Sequence, residues 1–222
     1  MYLYLYNSII KYIKPNMATR DETMYVTGSG IKLDDLKNIL GQDISTKKIE
    51  VPEIQGDPFD VSVDKIRKIY DTQGSRPVGG EDTSFGVGKL ASVVKDFVEE
   101  CKLNGSDLYA VMRALAPKRQ YFDYRSILAY KDGTTEAFFE CCMKCEICPR
   151  TADGMIDPFV IPIEYTLTQT VNGVRTVLCE NQPIENPHKR SIAQQPDMRR
   201  LIHPRYFSVG AYKSWRATKM ES

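Results

Sequence analysis

Residues 24–40 read MYVTGSGIKLDDLKNIL, and their pattern decides the fold. Met24 to Val26 has strand composition, Gly28 and Gly30 break the run, and Ile31, Leu33, Leu36, Ile39 and Leu40 then recur at helical spacing. The unit is strand, glycine loop, helix. Outward from it, Lys48 to Val51 forms a second short strand closed by Pro52. Val61 to Tyr70 carries apolar residues at Val63, Ile66 and Ile69 or Tyr70, the spacing of a second helix. Strand and helix therefore alternate twice before Pro77.

The next stretch, GGEDTSF from Gly79, reads as a turn. Val87, Leu90, Val93, Val94, Phe97, Val98 and Cys101 then mark an amphipathic helix, and Leu108, Val111, Met112 and Leu115 mark another, capped at Asn104–Asp107 and ended by Pro117. From Tyr121 the chain becomes β-rich. YFDYRSILAY and TEAFFECCMKCEI flank a Lys131-Asp132-Gly133 turn, DPFVIPIEY is a further strand, and Asn172-Gly173 sits between two alternating runs, a two-residue hairpin signal. The tail from Pro196 is basic and ends in a helix through Tyr206 and Tyr212. The expected fold is α/β, with a long mixed central sheet flanked by helices.

A chain of 222 residues, 42% hydrophobic and 27% charged, can bury one sizeable core. A net charge of +1 leaves no global field to steer it to nucleic acid or an acidic membrane, so neither is expected as a partner and any anion site is local. The opening run MYLYLYNSIIKYIKP is too short to span a bilayer and lacks a signal-peptide cleavage site. Residues 1–23 are therefore read as an N-terminal extension of a cytoplasmic protein, and 24–222 as a single domain. Cys141, Cys142, Cys145 and Cys148 look metal-like in spacing, but on a strand Cys142 and Cys148 face one side and Cys141 and Cys145 the other. They read as small strand hydrophobes.

Four places could carry chemistry. The glycines of VTGSGIKL let backbone amides approach a phosphate at the N-terminus of the following helix, with Lys32 adding a cation. Glu53, in VPEIQG, puts a carboxylate directly after a strand. Glu81 and Asp82 are adjacent acids, and two carboxylates from separate loops with phosphate oxygens suffice for Mg²⁺. Arg199, Arg200, His203 and Arg205 form a basic block near the C-terminus, suited to gripping phosphate.

The order of these blocks, VTGSGIKLDDLKNILG, VPEIQGDPFDVSVDKIRK, GGEDTSF, FFECCMKCEICPRTADGMIDPFVIP and RRLIHPRY, resembles that of the inosine triphosphate pyrophosphatase, or Ham1, family over roughly Tyr25 to Lys213. The resemblance implies two lobes with a nucleotide cleft between them, a homodimer, and Mg²⁺-dependent hydrolysis of a nucleoside triphosphate to monophosphate and pyrophosphate. Its substrates would be purine triphosphates with altered bases (ITP, dITP, XTP), cleared from the nucleotide pool. It places Thr27, Gly28 and Ser29 with Lys32 and Lys65 on the phosphates and Glu53 and Asp82 on the metal. Asp82, with Glu81 beside it, becomes the catalytic aspartate, and Thr83 a substrate contact. Asp157, Arg199, His203 and Arg205 fall at further substrate-binding positions. Gly154, Met155 and Ile156 replace an aromatic base-holding segment, and Pro204 stands at the family's histidine position, so the phosphate end is kept and the base end rebuilt. Competing readings are a nucleotide-binding protein without turnover, a Maf-like pyrophosphatase of different base preference, and a zinc module on the cysteine run.

Overall fold

The computed structural model describes residues 22–27, 29–54, 56–74, 76–86, 121–152, 155–184 and 203–220, with 85–86, 147–152 and 155–160 described by backbone alone. Residues 1–21 of the extension expected at 1–23, the helices expected at 87–101 and 108–115, Gly28 and Arg199 lie outside these residues.

Among the described residues, seven strands form one sheet. In chain order the elements are β1 (Met24–Val26), α1 (Gly30–Leu40), β2 (Ser45–Lys47), α2 (Pro58–Thr72), β3 (Val78–Gly86), β4 (Tyr121–Lys131), β5 (Glu136–Ala152), β6 (Met155–Val171), β7 (Val174–Pro183) and α3 (Pro204–Met220). The sheet order is β2-β1-β3-β4-β5-β6-β7. β1 pairs parallel with β2 and β3, and every later pair is antiparallel.

Strand alternation splits the core into two layers. Tyr25, Leu128, Tyr130, Phe139 and Ala137 bury one face under α1 and α3, against Leu36, Ile39, Val209 and Tyr212. Met24, Val26, Val78, Ile127, Ala129 and Phe138 bury the other under α2, against Ile66 and Ile69. Each fully buried aliphatic side chain contributes about 1.5–3 kcal/mol, so α1 and α2 are held by packing more than by propensity. The loops leaving β1 and β2 run to helices on opposite faces, which opens a crevice at the carboxyl ends of these parallel strands.

Several boundaries differ from the sequence reading. The second strand is Ser45–Lys47 rather than Lys48–Val51, because Ser45 pairs with Met24 and Lys47 with Val26. Ile49 and Val51, whose alternation suggested a strand, pack on the α2-side core instead. α2 starts three residues early, at Pro58, since Asp57 Oδ1 accepts the Phe59 N–H at 2.9 Å and proline is pre-set for the first turn. GGEDTSF is a strand and not a turn, paired residue for residue with β4 from Val78↔Lys131 to Gly86↔Asp123. Its glycine answers a close approach: a Cβ on Gly79 would lie 2.8 Å from Tyr25 Cδ1.

The β-rich half follows the sequence closely. Asn172 and Gly173 take φ of 48° and 82°, the paired positive values of a two-residue hairpin turn, and the Asn172 side chain accepts the Glu136 N–H at 2.8 Å. Asp132 Oδ1 accepts the N–H groups of Thr134 and Thr135, closing the β4–β5 turn. Cys141 and Cys145 are buried with Met143 while Cys142 is half-buried, the alternation expected of a strand.

Gly79→Ala should destabilise the protein by about 1–3 kcal/mol in urea unfolding, because the Tyr25 ring cannot yield. That ring is fully buried, stands edge-on to Tyr212 and bonds Tyr212 Oη at 2.9 Å. A neutral effect would contradict the close-approach reading.

Candidate active site

β1 ends at Val26 opposite Gly80, so Glu81 is the first residue of β3 beyond its parallel neighbour. There the loop after β1, the loop after β2 and the exposed continuation of β3 meet. Thr27 N–H bonds Lys47 O at 3.3 Å, and its hydroxyl accepts the Ser29 N–H at 3.2 Å, folding the loop back toward α1. Ser29 is the N-cap, with extended backbone and its carbonyl accepting from Leu33. The first-turn amides that follow have no intrahelical acceptor and carry the positive end of the helix dipole.

Successive strand residues point to opposite faces, and this divides the two adjacent acids. Asp82 faces the α2 side with about a quarter of its side chain exposed. Its Oδ1 lies 2.8 Å from Lys65 Nζ, which also lies 2.9 Å from Glu53 Oε1. The loop after β2, the helix α2 and the strand β3 thus converge on one ammonium. Burial works against the charge on Lys65, yet Asp82 and Glu53 together hold its pKa above the ordinary lysine value. Lys65 is a cation at neutral pH and cannot serve as a base.

Glu81 faces the other side and has no exposed side-chain surface. Its Oε1 accepts from Ser126 Oγ and Thr83 Oγ1, both at 2.6 Å. Its Oε2 lies 3.1 Å from Lys32 Nζ and 3.0 Å from Arg205 Nε, contacts of charge rather than aligned hydrogen bonds. Burial alone would push its pKa up. Lys32, Arg205 and the two hydroxyls outweigh it and hold the carboxyl at about 2. Lys32 also donates to the Glu81 carbonyl at 3.0 Å and stands 3.7 Å from Asp82 Oδ1, linking the two sides.

Of the terminal basic residues, His203 and Arg205 lie within the described residues. Arg205 is buried, and its guanidinium meets Asp35, Thr83 and Glu81. Tyr206 Oη donates to the second Asp35 oxygen at 2.7 Å. His203 is also buried: its Nδ1 accepts the Arg205 N–H at 3.2 Å, capping α3, and its Nε2 lies 2.6 Å from Tyr124 Oη. With Nδ1 an acceptor, the ring proton is on Nε2 and donates to Tyr124. Asp157 lies on β6 opposite Arg150, two strands beyond β4.

The structure therefore brings Lys32, Glu53, Lys65, Glu81, Asp82 and Thr83 together at the crevice, with Thr27 and Ser29 at the loop entering α1. Arg205 joins them from behind. Asp35, Ser126 and Tyr124 complete the network and were missed by the sequence reading. Asp35 carried a signal, since it occupies a core-facing position beside Leu36 and Ile39 on the stripe of α1, where a carboxylate needs a partner. Ser126 and Tyr124 carried none. Among the described residues no group of three or more His, Cys, Asp or Glu side chains could hold a metal. Glu53 and Asp82, converging on one cation, are carboxylates of the type a hard divalent ion takes alongside phosphate and water ligands.

The lysines and carboxylates thus gather where the parallel strands of an open α/β sheet end, the position at which such sheets bind their ligands. The chain belongs to the Ham1 family, whose model matches residues 23–172, and it is accordingly a hydrolase acting on nucleoside triphosphates. The match closes at the Asn172 turn, so β7 and α3, with His203 and Arg205, lie beyond it. A solved structure similar to this chain is a nucleoside-triphosphatase described as a dITP/XTP pyrophosphatase from Mycobacterium abscessus, 17% identical, with a TM-score of 0.44, covering 89% of this chain and 98% of that one.

Because the folded pKa of Glu81 is depressed, its contribution is complete above the unfolded value near 4.5 and is lost as pH falls toward about 2. That contribution is on the order of 3 kcal/mol. Glu81→Gln should destabilise at neutral pH, and the difference in unfolding free energy between the two proteins should shrink between pH 4.5 and 2. A difference independent of pH over that window would contradict the assignment.

Proposed function

We propose that this site hydrolyses a nucleoside triphosphate between its α- and β-phosphates, releasing monophosphate and pyrophosphate, with Glu53 and Asp82 holding Mg²⁺. The observation that carries the reading is the convergence of Glu53, Lys65 and Asp82 on one point, 2.8–2.9 Å apart through the lysine nitrogen. Lys32 stands 3.7 Å from the same Asp82 oxygen.

The Thr27–Ser29 loop and the first-turn amides of α1 receive the phosphate chain. Lys32 and Lys65 neutralise its oxygens and the charge that builds on the leaving pyrophosphate. Asp82, the partly exposed acid, orients the attacking water and accepts its proton as the new oxygen–phosphorus bond forms and the bridging bond to the β-phosphate breaks. Glu81, fully buried and held by two cations, acts as a positioning residue for Lys32 and Thr83. Arg205 and His203 act the same way, one bracing Glu81 and Thr83 and the other capping the helix that carries Arg205. When bound, Mg²⁺ would supply positive charge to the phosphate oxygens and acidify a water.

Family membership supports purine triphosphates with altered bases (ITP, dITP, XTP) as substrates, removed from the nucleotide pool by a cytoplasmic homodimer. No helix among the described residues is long and apolar enough to cross a membrane.

A pyrophosphate-release assay with Mg²⁺ over ordinary and deaminated triphosphates tests the reading, and ITP or XTP should turn over best. Asp82→Asn should lower kcat by about a hundredfold or more while the melting temperature stays near wild type. Glu53→Gln should mainly raise the Mg²⁺ concentration needed for half-maximal rate. Near-full activity in Asp82→Asn with any triphosphate would sink the catalytic assignment.

A further inference from the structure

Lys65 and Lys32 both approach Asp82 Oδ1, but they are not equivalent. Lys32 stands 3.7 Å from that oxygen and is anchored to Glu81, at 3.1 Å through the side chain and 3.0 Å through the carbonyl. Among the described residues, Lys65 Nζ is bonded to Asp82 and Glu53 only, and it spans the two carboxylates like a clip between the β2 loop and β3. A lysine ammonium and a hard divalent cation are satisfied by the same carboxylate lone pairs, so the two compete for this pair. The lysine stem is flexible and its side chain about one-fifth exposed, which leaves it free to swing toward an arriving anion.

We propose that Lys65 is an exchangeable counter-ion: it holds Glu53 and Asp82 against a divalent cation until a triphosphate arrives, then moves onto the phosphate oxygens and yields the carboxylates to the metal. The inference rests on the reading of Glu53 and Asp82 as the metal pair. Its consequence is coupling. The metal alone binds poorly, while metal and triphosphate together each create the other's site, which keeps hydrolytic machinery unassembled in the absence of substrate.

The test is a titration of the full chain with Mn²⁺ alone, without nucleotide, following free Mn²⁺ by electron paramagnetic resonance. Wild type, Lys65→Met, Lys65→Arg, Lys32→Met and the double variant Lys65→Met/Asp82→Asn are compared, each checked by thermal melting. Lys65→Met should bind one Mn²⁺ about tenfold or more tighter than wild type. Lys65→Arg should stay weak, and adding Asp82→Asn should remove the gain. Equal affinity in wild type and Lys65→Met overturns the exchange. An equal gain in Lys32→Met overturns it too, because the effect would then be only the field of a nearby charge. Tight binding that survives Asp82→Asn would instead bring down the metal-pair reading itself.

Discussion

The carboxylate of Glu81, closed off from solvent, is the point through which four elements of the structure are joined. It belongs to β3, accepts a hydroxyl from Ser126 on β4, and faces Lys32 from α1 and Arg205 from α3. An isolated buried charge costs several kcal/mol, so the arrangement holds only while both cations and both hydroxyls are in place. Asp35 extends the network by pairing Arg205 and accepting from Tyr206, which ties α1 to α3 a second time. Ser208 ties α3 to β4, 2.9 Å from Ser126.

The same strand that buries Glu81 exposes Asp82. One step along β3 separates a carboxylate whose surroundings are fixed from one that meets the crevice, and no loop has to be ordered to present it. That placement suits the catalytic role proposed for Asp82: β4 pairs with the strand throughout, so the position of Asp82 is set by backbone hydrogen bonds rather than by a turn. Glu53 reaches the site from a loop and meets Lys65 there at 2.9 Å.

Much of this was legible in the residues. The strand-loop-helix opening, the helix over Val61–Tyr70, the β4–β5 turn at Asp132 and the hairpin at Asn172 all follow from periodicity and turn chemistry. The order of acidic and basic blocks pointed to the family. What could not be read was anything decided by a partner distant in sequence. GGEDTSF looks like a turn until β4 pairs with it and the Tyr25 ring explains Gly79. Ile49 and Val51 alternate like a strand but pack as loop residues over the α2 core. Arg205 resembled a substrate contact, and its place beneath Glu81 depends on Asp35, 170 residues away. His203 was expected at the substrate, and its capping of α3 could not be foreseen from the sequence.

The central claim is that Asp82 directs water to the α-phosphorus, beside lysines that stabilise a departing pyrophosphate. Turnover in H₂¹⁸O with mass analysis of the products tests it most directly. One ¹⁸O atom per turnover should appear in the nucleoside monophosphate and none in pyrophosphate. Label in pyrophosphate, or orthophosphate released as the labelled product, would place the attack on another phosphorus and contradict the account.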